Sequence, residues 1–292
     1  MSVTQPIVLL ISGGWHTPQS YTKLTEALSS SSFEVHVPAL GSTSDTRPPS
    51  ADLESDTALI RAYVEDLVNS GLEILVLMHS YGGQVGTNAL SGLSVSARFK
   101  EGLLGGVSHL IYMAATAITE GKSMVDTVRD FGHEDLLPLA FDFADDKSCV
   151  HRDPKLLLIG ADDAVSEEEK DEYVATLGRW NGNCMYQPLT TAHAAWRDGP
   201  VTYIHTTGDM TVPLDYQKVF VNGMEEADVK VQRVSVNTGH CPNLTRPKEI
   251  AAILRKIADG EAVGDQGEAQ TAHRASTGEV EGVIQSVGTA KT

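Results

Sequence analysis

The chain has 292 residues, with 22 Lys and Arg against 39 Asp and Glu and a formal net charge of −17. At roughly 100–200 residues per domain, that length fits one large domain or two ordinary ones, and a 41% apolar content is too high for a wholly disordered chain. So acidic a chain lacks the clustered Lys and Arg that phosphate backbones select, so nucleic acid is not expected as a partner.

No apolar run approaches the roughly 18 residues of a membrane span, so no membrane partner is expected either. The start, MSVTQPIVLL, has no basic region and runs straight into strand-like sequence, and is not read as a signal peptide. The 3 cysteines, Cys149, Cys184 and Cys241, are widely spaced and form no CxxC pair. They point to a reducing, cytoplasmic setting, with neither a disulfide framework nor a zinc site. Asn243-Leu-Thr245 matches a glycosylation sequon, which without a secretion signal is read as ordinary sequence.

In chain order, Ile7–Ile11 reads as a buried strand ended by Gly13-Gly14. Tyr21–Leu28 reads as a helix, Phe33–Val37 as a strand, and 38–49 as a Gly/Ser/Thr/Pro loop. Leu53, Ile60, Val64 and Leu67 recur at helical spacing until Gly71. Ile74–Met78 is a wholly apolar strand, followed by a helix from Gly82 to about Leu93 and a strand over Val107–Ala114. Strands apolar on both faces, with helices between them, mean a mostly parallel sheet covered on both sides. From about 117 to 197 the rhythm breaks into short helical patterns and acidic runs with no clear strand, which reads as a helical insertion. Val201–His205, a helix over Tyr216–Met224, Val229–Val236 and a helix over Pro247–Ala258 resume the alternation. Residues 261–292, rich in Gly, Ala, Glu, Gln and Thr, read as a disordered tail.

The sharpest local feature is Met78-His79-Ser80-Tyr81-Gly82-Gly83, between an apolar strand and a helix. A serine there sits on a tight turn with its hydroxyl at the carboxyl edge of the sheet, beside the amides of a helix N-terminus. Serine needs a base to take its proton, and a histidine base needs an acid to orient it. Asp209, in TGDMTVP, and His240, in NTGHCP, each follow the end of a predicted strand, and loops there converge on one ligand edge. The chain order Ser, Asp, His is that of the α/β-hydrolase triad. Acyl transfer also needs donors aimed at the developing oxyanion. The Tyr81 amide and a second amide from Ser12-Gly13-Gly14-Trp15-His16, Gly14 first and Trp15 next, are the candidates. Glu120 competes with Asp209 as the acid, and His79 and His16 compete with His240 as the base.

Over about residues 5–260 the chain resembles the α/β-hydrolase superfamily. Within it, the chain is similar to the small-esterase branch of plant methyl esterases and hydroxynitrile lyases, and to fungal and bacterial hydrolases. GGWHTPQSY, HSYGG, GDMTVP and TGHCPNL carry this resemblance. It implies an α/β-hydrolase fold with Ser80 as nucleophile, Asp209 as acid, His240 as base, and Gly14 and Tyr81 as oxyanion donors. Three departures stand out. Met78 occupies the usual elbow glycine and is expected to crowd the following helix. Ser12-Gly13 replaces the usual His-Gly. Gly13 and Cys241 stand where hydroxynitrile lyases resemble the pattern with Thr and Lys, which favours hydrolysis.

The expected architecture is therefore a core of 1–116 and 198–260, a helical cap of 117–197 over the active-site edge, and the tail. Trp15, His16, Trp180, Met185, Tyr186 and Trp196 are the candidate substrate-binding residues. The expected activity is cleavage of a small to medium, mostly apolar ester or lactone through an acyl-enzyme, without metal or organic cofactor. The same triad in a lyase, cyclase or C–C bond reaction, or a pocket kept only for ligand binding, remain the alternatives. The expected partners are a small-molecule substrate and, for assembly, a second copy in a homodimer.

Overall fold

A computed structural model describes residues 6–264 and 277–289. The chain opens with β1 (Ile7–Ile11), α1 (Thr22–Ser30), β2 (Glu34–His36), α2 (Leu53–Asn69) and β3 (Glu73–His79). It continues through α3 (Tyr81–Ala89), α4 (Val95–Lys100) and β4 (Gly106–Met113). The chain then leaves the main sheet through α5 (Met124–Asp130), α6 (Leu137–Ala140), β5 (Phe141–Phe143), β6 (Ser148–His151), α7 (Glu167–Ala175) and β7 (Trp180–Asn181). It returns with β8 (Val201–Thr206), α8 (Leu214–Glu226), β9 (Val231–Val236), α9 (Pro242–Thr245) and α10 (Pro247–Ala258), and α11 (Thr277–Thr289) follows.

Six strands form one sheet in the order β2-β1-β3-β4-β8-β9, with every neighbouring pair parallel. Parallel strands need crossover helices, and those helices cover both faces, so the strands must be apolar on both sides. In β1 the alternation is explicit. Val8 and Leu10 pack with Leu24 and Leu28 of α1 and Ile250 and Leu254 of α10. Leu9 and Ile11 turn to the other face, toward Ile60 and Val64 of α2 and Val85 of α3. Succession along the sheet reverses at β1, placing a crevice at the carboxyl ends of the central strands.

The segment between β4 and β8 departs from the helical expectation. It holds short helices, but also a small antiparallel sheet in the order β5-β6-β7. Strands of two to four residues are too short to show a period-2 pattern, which is why the sequence does not reveal them. This insertion is stitched to the core loop 38–49 by Asn181 N–H to the Ser42 carbonyl (2.9 Å) and Ser44 N–H to the Arg179 carbonyl (2.9 Å).

The expected tail also needs correction where it is described. Val263 is buried, and Thr277–Thr289 is a helix with Ile284 buried. Residues 265–276 and 290–292 of the expected tail lie outside the described residues. Gly278 and Gly282, poor helix formers, obscure this helix in the sequence.

Candidate active site

Ser80 joins β3 to α3 with φ 53° and ψ −122°, a left-handed conformation that costs a non-glycine residue about 1–2 kcal/mol. Neighbouring strand ends hold it there. Its amide donates to the Met113 carbonyl (3.3 Å), and its carbonyl accepts from the Gly83 and Thr116 amides (3.0 and 3.1 Å). Trp15 and Ala114 also have positive φ, 65° and 50°, so strain gathers where β1, β3 and β4 end. Such clustering is characteristic of functional sites.

Met78 does not crowd α3 as expected. Its thioether occupies the space beside Gly86, one turn further along, where an added Cβ would lie 2.3 Å from the sulfur. The missing side chain has moved from the elbow position to the facing helix.

Asp209 and His240, carried on the loops after β8 and β9, meet at 2.8 Å between Oδ2 and Nδ1. Both are essentially without solvent exposure. A buried carboxylate needs donors, and Asp209 has them. The Thr211 and Val212 amides each donate to Oδ1 at 2.8 Å, and the Thr206 hydroxyl donates to Oδ2 at 2.9 Å. With Nδ1 engaged by the carboxylate, Nε2 is the ring nitrogen outside that pair. Among the described residues no hydrogen bond joins the Ser80 hydroxyl to His240. Such contacts commonly tighten only in the substrate complex.

The competing residues have other partners. Glu120 forms a bidentate pair with Arg197 (2.6 and 3.0 Å), and that guanidinium holds its carboxyl at about 2. His79 donates from Nε2 to the His240 carbonyl (2.8 Å). A carbonyl only accepts, so the Nδ1 of neutral His79 accepts from the Tyr21 hydroxyl (2.8 Å), whose oxygen accepts the Gly13 amide (2.9 Å). One directed chain therefore runs from the glycine turn to the backbone of His240. Burial and the nearby His240 and His16 rings push His79 well below the usual imidazole range. His16 donates from Nδ1 to the Gly14 carbonyl (2.7 Å) and lies 3.6 Å from Cys241 Sγ through Nε2. Burial and the neighbouring His240 lower it to about 3.

The glycine turn reaches the candidate nucleophile closely, since a Cβ on Gly13 would lie 3.0 Å from the Ser80 Cβ. The Gly13 amide is committed to Tyr21, which leaves Gly14 or Trp15 to supply a donor from this turn. Gly14 lies against the Trp180 indole, where a Cβ would approach ring atoms to 2.9 Å. The Tyr81 amide, at the first position of α3, is one that an α-helix leaves without an intrahelical acceptor. The Tyr81 side chain is anchored behind the site, its hydroxyl donating to buried Asp56 (3.0 Å).

A cavity opens on Ser80, about 570 Å³ with its solvent-facing mouth included. The core contributes Trp15, Tyr81, Thr211 and Phe220, and the insertion contributes Val125, Leu137, Phe141, Trp180 and Met185, among others. Among the described residues, no Asp, Glu, Lys or Arg lines it. Of the expected substrate-binding residues, Trp15, Trp180 and Met185 are present. His16 is buried behind the turn, outside the lining. Tyr186 is on the surface at 44% exposure. Trp196 is packed within the insertion, donating to the Ile118 carbonyl (3.2 Å) under the Arg197 guanidinium. Aromatic identity alone did not separate pocket from packing. Phe141, Leu137, Tyr216 and Phe220, which sequence reasoning missed, reach the cavity through tertiary placement that local patterning does not encode.

Residues 8–253 match the alpha/beta hydrolase family model. The chain belongs to the alpha/beta hydrolase family. It is 28% identical over 258 residues, 88% of this chain and 99% of the relative, to the probable hydrolase R7 of Phoma sp. (strain ATCC 20986 / MF5453). It is likewise 28% identical over 269 residues, 89% of this chain and 98% of the relative, to the alpha/beta hydrolase nvfD of Aspergillus novofumigatus (strain IBT 16806). Among solved structures, the methylesterase protein MES16 from Arabidopsis superposes with a TM-score of 0.66 at 15% identity, over 87% of this chain and 99% of that one. No helix among the described residues is long and apolar enough to cross a membrane.

Proposed function

We propose that the protein is a serine esterase that cleaves a small to medium, mostly apolar carboxylic ester or lactone through an acyl-enzyme on Ser80. The observation that carries this reading is the convergence of three features on one sheet edge. These are the strained serine, the buried Asp209–His240 pair and an apolar cavity opening on the serine. The hydrolase and methylesterase names of its relatives and structural neighbours support the reaction class.

In this mechanism His240 Nε2 takes the Ser80 proton as Oγ bonds to the substrate carbonyl carbon. The resulting imidazolium is held by Asp209 through Nδ1. The Tyr81 amide and the Gly14 amide, with Trp15 as the alternative, receive the oxyanion, and one such donor is worth about 10²–10³ in rate. The ester C–O bond then breaks, and His240 returns the proton to the departing alkoxide. Water, deprotonated by His240, attacks the acyl carbon, and Ser80 leaves with the proton. No step uses a metal or an organic cofactor. Cavity walls without charged side chains disfavour an ionic acyl group, which would have to shed water without gaining a partner.

A fluorophosphonate probe tests the assignment. The wild type is expected to be labelled and Ser80→Ala is expected to be silent. Labelling that persists in Ser80→Ala would remove Ser80 as the nucleophile. Labelling of the wild type without turnover of methyl, aryl or lactone substrates would move the reaction to lyase or C–C bond chemistry.

A further inference from the structure

The family match ends at residue 253, so α11 lies beyond it. This helix returns to the site. Ile284, buried in the core cluster, lines a second hollow, about 440 Å³ with its solvent-facing mouth included, together with Leu136, Leu157 and Met210. Five residues line both this cavity and the one above Ser80: Val128, Leu137, Phe141, Thr211 and Tyr216. The two spaces are therefore adjoining lobes of one apolar region, both bordered by these side chains. A polar latch ties the helix to that shared wall. Glu281 accepts from His133 Nε2 (2.9 Å), and His133 Nδ1 pairs with the Tyr216 hydroxyl (2.5 Å).

We propose that α11 completes a second, apolar subsite that takes the far end of an extended acyl group, so that the enzyme prefers esters of long or bulky neutral acids. The inference rests on the esterase reading, because the acyl carbon is placed at Ser80. The argument is one of continuity and chemistry. The outer lobe adjoins the reacting end through side chains it shares, its walls are mostly apolar apart from His133, Thr211 and Tyr216, and an apolar chain entering it leaves water without losing hydrogen bonds. Among the residues common to both lobes, only Thr211 and the Tyr216 hydroxyl are polar, and the latter is already paired with His133.

The test compares kcat/KM for p-nitrophenyl decanoate and p-nitrophenyl acetate in the full-length chain. Ile284→Trp fills the lobe from α11, and Leu136→Trp fills it from the turn at 134–136, which packs beside α11, with the sequence of α11 unchanged. Each is expected to lower the decanoate-to-acetate ratio about tenfold or more. Ratios within about twofold of wild type in both variants, with turnover intact, would overturn the subsite and leave the esterase reading standing. Binding of the decanoate ester to Ser80→Ala, followed by tryptophan fluorescence, separates the two claims. If the wild type turns over neither ester but this binding weakens on adding Leu136→Trp, the subsite stands and the esterase reading falls.

Discussion

The two halves of the site are built from different materials. On the core side, the groups around Ser80 are polar, buried and hydrogen-bonded in a single consistent direction, from Gly13 through Tyr21 and His79 to His240. On the insertion side, Val125, Leu137, Phe141 and Met185 offer carbon surface to the cavity. Hydrogen bonds constrain distance and angle, whereas dispersion and water exclusion tolerate shifts of a few tenths of an ångström. Changes on the core side should therefore act on the rate of the chemical step. Changes on the insertion side should act on which substrate binds.

The strongest way to break this division is at Ser80 and Asp209. Ser80→Ala should lower kcat by at least about 10⁴-fold with the fold retained by circular dichroism. Asp209→Asn should lower it by about 10³–10⁴-fold, because the amide would favour the wrong His240 tautomer. A loss below tenfold at Asp209 would return Glu120 to consideration as the acid. A smaller effect is expected at Tyr21→Phe, which leaves the Gly13 amide without its acceptor and His79 without its donor. We expect kcat to fall by about 10–100-fold with KM within about twofold, since the altered wire touches positioning and not the pocket. A rise in KM at constant kcat would instead place Tyr21 on the binding side.

Trp180→Ala probes the other half. It should raise KM for bulky esters more than for acetate and destabilise the fold by about 3–5 kcal/mol, as expected for a buried indole. A parallel fall of kcat on every ester would blur the division.

The mildest probe is acidification. Folded His16 titrates at about 3, whereas the unfolded side chain takes its proton near pH 6.5. The stability this asymmetry provides is complete above about pH 6.5. Below that the unfolded state binds more protons, and about 1.4 kcal/mol is lost per pH unit down toward pH 3. Burial drives His79 and His151 in the same direction. Urea midpoints measured from pH 7 to 4 should fall, and His16→Gln should flatten the slope. An unchanged slope in that variant would assign the acid sensitivity to other groups.

What was legible in the sequence follows the same division. The parallel core could be read because each strand is a continuous apolar run and each crossover a periodic helix. The placement of Ser80, Asp209 and His240 at one sheet edge could be read because their motifs follow strand ends, where the fold fixes their neighbours. The lining of the cavity could be read only in part, at Trp15, Trp180 and Met185. Trp180 and Trp196 are equally aromatic and equally buried, yet only Trp180 faces Ser80, and that depends on the β7 bridge to Thr43. The helix at 277–289 escaped because its apolar residues are spaced among glycines. Its hydrogen-bond partner, His133, is distant in sequence.

The exchange between Met78 and Gly86 has a wider consequence. Space at the elbow belongs to a pair of positions on facing elements, and either can supply it. A glycine at 86 leaves the position before His79 free to carry bulk, so the usual spacing of small residues around the serine is one solution among several. Substitutions at the two positions will therefore not be independent. A methyl group added at 86 depends for its tolerance on what stands at 78, and an assessment of either residue alone will misjudge how much change the turn accepts.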